Sequence, residues 1–545
     1  MLLFPGRRRA LKEKTRRIAE AGYVAADRRA PVSEAARGMM RKAFPDHWSF
    51  LLGELALYSL LVLVVTGTFL TLFFDPSMKQ GTYLGSYGPL HGLRVSQAYA
   101  TTLHLSFDVR GGLLVRQMHH WAALIFVAAL GAHLLRVFFT GAFRRPREGN
   151  WMVGVTLFLL ALLEGFCGYS LPDDLLSGTG LRTADTIVGS LPVVGTYLSH
   201  FLWGGTFPGQ SILPRLYVVH VLFVPGLLIG LVILHLGMVV YLKHTQWSAP
   251  GRTNRNAVGQ PMFPHFTAKS AGLSMMVAAV IAWLGATAQI NPVWSYGPYR
   301  ADQVSTGSQP DWYVGFLEGA LRLMPAWENV VAGHTLMWNV LVPAVLLPGV
   351  FFLVLYLYPF FEKWITGDVG EHHLCDRPRD RATRTGLGVA AIVFYAVLLA
   401  AGGNDVTAFV FDVSIETLTW ILRVVLVVGP LIAYLVTKRV CLALQARERQ
   451  LVEKGLETGR VEQNVYGAIS GGHRPLDGKR RYRALVRDVP RPLAAPGRRA
   501  SRRARVRFRL SNWYYGDRVD MPTTEEQRAQ IEERLRDPVG ESDER

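Results

Sequence analysis

Long stretches of apolar residues, separated by shorter polar and basic connections, run through the middle of the chain. Eight of these runs are candidates to cross a hydrocarbon layer about 30 Å thick as helices. Their cores fall near residues 50–74, 114–139, 151–170, 216–242, 270–288, 336–358, 386–401 and 417–437, the seventh being short. The pattern predicts an all-α polytopic membrane protein with eight transmembrane helices. It divides the chain into an N-terminal arm (1–48), a four-helix bundle (49–245), a C-terminal membrane domain with a long loop and four helices (246–440) and a tail (441–545).

Charge orients these spans. The 545 residues carry a formal net charge of +18. Charge alone would also suit a nucleic-acid binder. The basic residues cluster in the arm (Arg7, Arg8, Arg9, Lys12, Lys14, Arg16, Arg17) and in every second connection, such as 140–150 with Arg144, Arg145 and Arg147. The connection 402–416 has no Lys or Arg. This asymmetry reads as positive-inside topology, with both termini cytoplasmic and no nucleic-acid partner. The basic start is not followed closely by an apolar core and a small-residue cleavage site, so no cleavable signal is expected. The tail is Arg- and Pro-rich, and is expected to be peripheral or partly disordered. A capping box, Thr523 with Glu526, predicts a short helix at 524–535. The three cysteines, Cys167, Cys375 and Cys441, form no C-x-x-C, which excludes covalent haem attachment and an all-cysteine iron–sulfur cluster within this chain.

The strongest chemical signal is four histidines inside apolar helices. His119 and His133 lie 14 residues apart in the second predicted helix, and His220 and His235 lie 15 apart in the fourth. Both spacings return to nearly one helix face about 21–22 Å further along. An imidazole in lipid is costly without a partner, and axial ligation of haem iron supplies one. With the second and fourth helices antiparallel, His119 faces His220 near the outer side and His133 faces His235 near the inner side. His120 is rotated about 100° from His119 and reads as a packing or polar-contact residue.

Other residues extend this pattern. Gly53 and Gly67 lie 14 apart in the first helix, and Gly154 and Gly168 lie 14 apart in the third. Glycine allows a flat macrocycle close to the backbone, although small residues also serve plain helix packing. Arg116 and Arg136 each sit about one turn from a histidine, placed to pair with a haem propionate or to snorkel to the interface. In the outer loop 289–335, Pro310-Asp311-Trp312-Tyr313 sets a carboxylate beside two aromatics. A quinol site needs a base for the proton it releases and an apolar slot for the ring. Interfacial Trp and Tyr alone would be an ordinary lipid belt.

Taken together, Arg116-Gln-Met-His119, His133-Leu-Leu-Arg136, the His/Gly pattern, Pro310–Tyr313 and Gly168-Tyr169-Ser-Leu-Pro172 resemble the cytochrome b subunit of respiratory cytochrome bc complexes. The long chain, the eighth helix, the basic arm, Arg145-Pro-Arg-Glu148 and His372-His373-Leu-Cys-Asp-Arg-Pro-Arg-Asp are similar to the actinobacterial form, which uses menaquinol. The resemblance implies two non-covalent haem b groups, each held by two histidines, and an outer quinol-oxidation site lined by Tyr169, Gly180, Asp311 and Tyr313. It implies an inner quinone-reduction site by His133 and His235, with Lys243, His244, His265 and Lys269 nearby. The mitochondrial pattern has an aspartate where Ser270 stands, so the inner proton donor stays open. Asp173 and Asp174 also depart from the family pattern.

The function so implied is that of a quinol–cytochrome c oxidoreductase subunit in the cell membrane. Menaquinol is oxidised at the outer face; one electron passes to a Rieske partner and the other through two b haems to an inner quinone, building proton motive force. A Rieske protein and a cytochrome c subunit must come from other chains. The family also implies a supercomplex with cytochrome c oxidase and a homodimer. Two alternatives stay open from the residues alone. A di-haem anchor subunit of another dehydrogenase or quinone reductase needs the histidines but not Pro310–Tyr313, and a non-haem transporter would carry the intramembrane histidines without haem.

Overall fold

The computed structural model describes residues 32–303, 309–487 and 491–536. The basic residues Arg7 to Arg17 named above lie outside the described residues. Among the described residues, eight helices are long and apolar enough to cross a membrane: α1 (Leu52–Thr71), α2 (Gly112–Phe139), α3 (Glu148–Ser170), α4 (Ile212–Leu242), α5 (Met262–Thr287), α6 (Trp338–Thr366), α7 (Ala382–Gly402) and α8 (Ile415–Lys454). Strands occur among these residues as two-stranded pairings at the ends of the helices. The polytopic all-α class is as expected.

The bundle closes on small residues. Ala56 and Leu60 of α1 meet Phe126, Val127 and Ala129 of α2 and Ala161 of α3, and Tyr313 from the distant loop enters the same cluster. Small side chains let apolar helices approach closely where no hydrophobic driving force separates them from lipid.

The helix α4 is not uniform. Over Val219–Phe223 it widens into a π-turn, in which the Val224 N–H reaches the carbonyl of Val219, five residues back. Pro225 follows at once; it lacks an N–H to bond the carbonyl four residues earlier, which loosens the α ladder there. The wide turn takes up one extra residue. It therefore reconciles the spacing of 15 in α4 with the spacing of 14 in α2, because both histidines still face the same way.

Four expectations are corrected. The seventh span is a full 21-residue helix beginning at Ala382; its first turns carry Thr and Arg that a hydropathy reading trims away. The eighth helix is 40 residues long and runs past residue 440 into the region read as tail. The described part of the tail is folded and docked. After a hairpin (Leu456–Gln463 with Ile469–Arg474) come α9 (Gly478–Leu485), α10 (Arg502–Tyr515) and α11 (Glu525–Arg536). The capping box is shifted by one residue: Thr524 Oγ1 accepts from the Gln527 N–H, and Gln527 Oε1 accepts from the Thr524 N–H, both at 3.1 Å.

The tail docks through an apolar cluster of Leu374 with Val486 and Leu535, and through polar contacts. Tyr514 of α10 donates to Glu362 of α6 at 2.6 Å, Arg384 of α7 donates to the other oxygen of Glu362 at 2.9 Å, and Arg384 also pairs with Asp376. Arg381 reaches Asp376 at 2.9 Å, and Arg377 forks onto Glu448 at 2.9 Å through both terminal nitrogens. Burial alone would raise the Asp376 carboxyl, but Arg144, Arg381 and Arg384 override it and hold the group well below the usual carboxylate range. A composition rich in Arg looks disordered only until its carboxylate partners are in place.

Candidate functional site

The four histidines form two facing pairs, as the spacing predicts. The His119 and His220 ring centroids are 6.1 Å apart with planes at 81°, and those of His133 and His235 are 6.4 Å apart at 76°. With metal–imidazole bonds of about 2 Å, each gap accepts one metal ion. His119 Nδ1 lies 2.9 Å from Thr66 Oγ1, and His220 Nδ1 lies 3.0 Å from a Glu164 carboxylate oxygen. Such contacts hold a ligand's far nitrogen and fix the ring.

The glycines supply room for a flat ring beside each pair. A Cβ on Gly67 would stand 3.1 Å from His119 Cε1, one on Gly53 3.2 Å from His133 Cε1, and one on Gly168 would overlap His220. Gly154 is looser, 3.7 Å from His235 Cε1. Each glycine faces its own histidine. The donor set and the cleared flanks fit two haem groups, one per pair.

Beside the outer pair opens a cavity of about 690 Å³, lined by His119, His220, Gly67 and Gly168 and also by Tyr169, Asp311 and Tyr313. Arg116 borders it; its Nη2 donates to the Asn291 carbonyl at 2.9 Å, while Nη1 is buried without a partner among the described residues. That free N–H donor suits a propionate. His120, read from the sequence as a packing or polar-contact residue without a named partner, places Nε2 at 2.9 and 3.0 Å from the two Asp311 oxygens, and Tyr313 donates to Asp311 at 3.0 Å. Burial, and then the neighbouring Asp311, push the Tyr313 phenol well above its ordinary value, so it stays a donor at neutral pH. Pro310 and Trp312 do not line the cavity; Trp312 is 38% exposed and packs edge-on against Tyr313. Gly180 packs on Tyr169 rather than lining the cavity itself. Asp173 and Asp174 are buried. Burial pushes Asp173 up to about 7, against a hydrogen bond from Ser96.

The inner side is less unified. Arg136 stacks over Phe50 at 4.3 Å and donates to Cys375 Sγ at 3.5 Å, with Nε buried and unpartnered among the described residues. The four residues expected near the inner site make separate contacts. Lys243 donates to the Arg255 carbonyl at 2.9 Å, His244 packs on Phe44, His265 is exposed and Lys269 pairs with Asp46 at 2.7 Å. Arg147, unassigned from sequence, donates to the His372 carbonyl at 2.7 Å and ties this face together. Thr66, Glu164 and the His120–Asp311 contact were also missed. Glu164 could have been found as a lone acid within an apolar span; the His120 contact spans 191 residues and leaves no local trace.

The chain is similar to known proteins over most of its length. A family described as cytochrome b (N-terminal)/b6/petB matches residues 124–298. The "Cytochrome bc1 complex cytochrome b subunit" of Streptomyces coelicolor is 49% identical over 511 residues, covering 92% of this chain and 94% of that one. The subunit of the same name from Mycobacterium tuberculosis is 50% identical over 451 residues, covering 83% and 82%. A solved chain titled "Hyperthermophilic respiratory Complex III" shares the fold, with a TM-score of 0.55 at 21% identity, covering 75% of this chain and 98% of that chain. The fold and paired histidines define a helical membrane cytochrome. The chain belongs to the cytochrome b family of the cytochrome bc1 complex, and haem b is the cofactor that this membership implies.

Proposed function

We propose that this chain oxidises menaquinol in the cavity beside His119 and His220. One electron leaves to a Rieske iron–sulfur partner and on to a cytochrome c subunit. The other crosses the membrane to a quinone reduced at the inner side, near His133 and His235. His119 with His220, and His133 with His235, hold one haem b each, and haem so held supplies one-electron redox chemistry. Asp311 takes the proton that a quinol hydroxyl releases, while His120 and Tyr313 fix the carboxylate from two sides. Tyr169 and the apolar lining exclude water from the ring. Protons leave outside and are taken up inside, so turnover contributes to proton motive force. The subunit sits in the cell membrane with both termini cytoplasmic, as a homodimer within a supercomplex with cytochrome c oxidase.

A single observation carries the reading: one continuous cavity reaches from the outer histidine pair to Asp311. That continuity also favours quinol oxidation by this subunit over an anchor role, in which Asp311 would have no task. Asp311→Asn in the assembled complex is the test. Retained haem absorption with quinol turnover lowered about 100-fold supports the reading; unchanged turnover overturns it.

A further inference from the structure

Beside the inner histidine pair lies a cluster that neither the motifs nor the proposed mechanism uses. Glu54 stands in the first turn of α1, next to Gly53, whose own Cβ position would touch the His133 ring. Its carboxylate accepts from Ser270 Oγ of α5 at 2.6 Å and from Tyr58 OH at 3.4 Å, and Tyr58 and Ser270 are hydrogen-bonded to each other. Three polar side chains from two helices thus close a ring at the mouth of the apolar bundle. All three are half-buried. Among the described residues no cation lies within ion-pair distance of Glu54. Lys269, next to Ser270, pairs with Asp46, and Arg136 is engaged with Phe50 and Cys375.

A carboxyl in an apolar span is costly to keep, and no cation among the described residues neutralises this one. Here it has two hydroxyl neighbours, through which a proton can pass, and it sits beside the metal-binding pair rather than on a lipid-facing stripe. We propose that Glu54, with Ser270 and Tyr58 as its relay, is the proton donor for quinone reduction at the inner side. This inference rests on the proposed function. A quinone receiving two electrons, one at a time, takes up two protons to become the quinol. Glu54 gives one of these to a quinone oxygen and regains it from water on the inner side through the Ser270 and Tyr58 hydroxyls. Because Ser270 and Glu54 touch, a carboxyl moved from position 54 to position 270 would stand in nearly the same place.

The test uses the assembled complex, purified with its haems reduced and then mixed with a short-chain menaquinone; the oxidation of the inner haem is followed optically. Three proteins are compared: wild type, Glu54→Gln, and Glu54→Gln with Ser270→Asp. The expected result is oxidation about 100-fold slower in Glu54→Gln and restored to within about tenfold in the double variant. Haem content and haem potentials stay at wild-type values in all three. An infrared carboxyl band in the reduced-minus-oxidised difference spectrum should vanish in Glu54→Gln and reappear, shifted, in the double variant. Wild-type oxidation in Glu54→Gln would overturn the inference. So would a slow variant that Ser270→Asp fails to rescue, or one whose inner haem is lost or shifted in potential, since Glu54 would then be structural. Wild-type protein that the menaquinone does not oxidise would sink the inner-site reading itself, a distinct failure.

Discussion

The two histidine pairs are alike in ligand type, ring separation and glycine flanks, and differ in almost everything around them. The outer pair has both Nδ1 atoms engaged, by Thr66 and Glu164, and opens onto the cavity that reaches Asp311. The inner pair leaves His133 Nδ1 buried without a hydrogen-bond partner among the described residues. On this side Arg136 reaches Cys375 and Arg147 reaches the His372 carbonyl. Like histidine pairs thus sit in unlike surroundings, an open and mostly apolar cavity outside and a set of polar side chains inside.

The largest effects should come from the ligands. His119→Ala or His220→Ala is expected to remove the outer haem completely and leave the inner one; His133→Ala or His235→Ala should do the reverse. Haem content per chain together with low-spin resonance signals reads this directly. Two low-spin haems surviving any one of these changes would break the pairing. The next effect is that of Asp311→Asn, an approximately 100-fold loss of quinol turnover without haem loss, which would confine the quinol chemistry to the outer side.

The glycines sharpen the contrast further. Gly168→Ala should cost about 1–3 kcal/mol of overpacking and lower outer-haem occupancy, because the methyl overlaps His220. Gly154→Ala should leave the inner haem nearly unaffected, since its methyl finds ordinary contact at 3.7 Å. Equal losses at both positions would show that the flanks are not tuned to individual histidines.

The smallest effect concerns Asp173 on the outer side. Its carboxyl is raised to about 7 from an ordinary 3.8, so the folded protein binds this proton more tightly than the unfolded chain does. The stabilisation is complete below about 4 and fades as pH rises through about 7. Asp173→Asn should therefore raise the thermal midpoint relative to wild type more at pH 8 than at pH 5. A difference that does not change with pH would remove the titration. At Asp376 the sign is opposite, because its carboxyl is depressed. The stability it brings is present above about 4 and lost only as pH falls through its lowered value.

Much of this molecule was legible in one dimension. Eight spans, two histidine pairs and four glycines follow from helical periodicity, a local property that sequence spacing records faithfully. Even the spacing of 15 found its cause nearby, in Pro225 and the widened turn it permits. The long resemblance of the motifs to a known family was also legible, and the relatives agree with it.

Tertiary structure alone decided which partner each polar group takes. His120 meets Asp311 across 191 residues and Ser270 meets Glu54 across 216; the Arg-rich tail folds because Glu362, Asp376, Asp380 and Glu448 lie where its arginines and tyrosines, or those packed against it, can reach them. The physical reason is one of range. Burial of an apolar face is written into each helix by its own period, whereas a hydrogen bond between helices depends on how those faces rotate and slide against one another, which no single segment encodes.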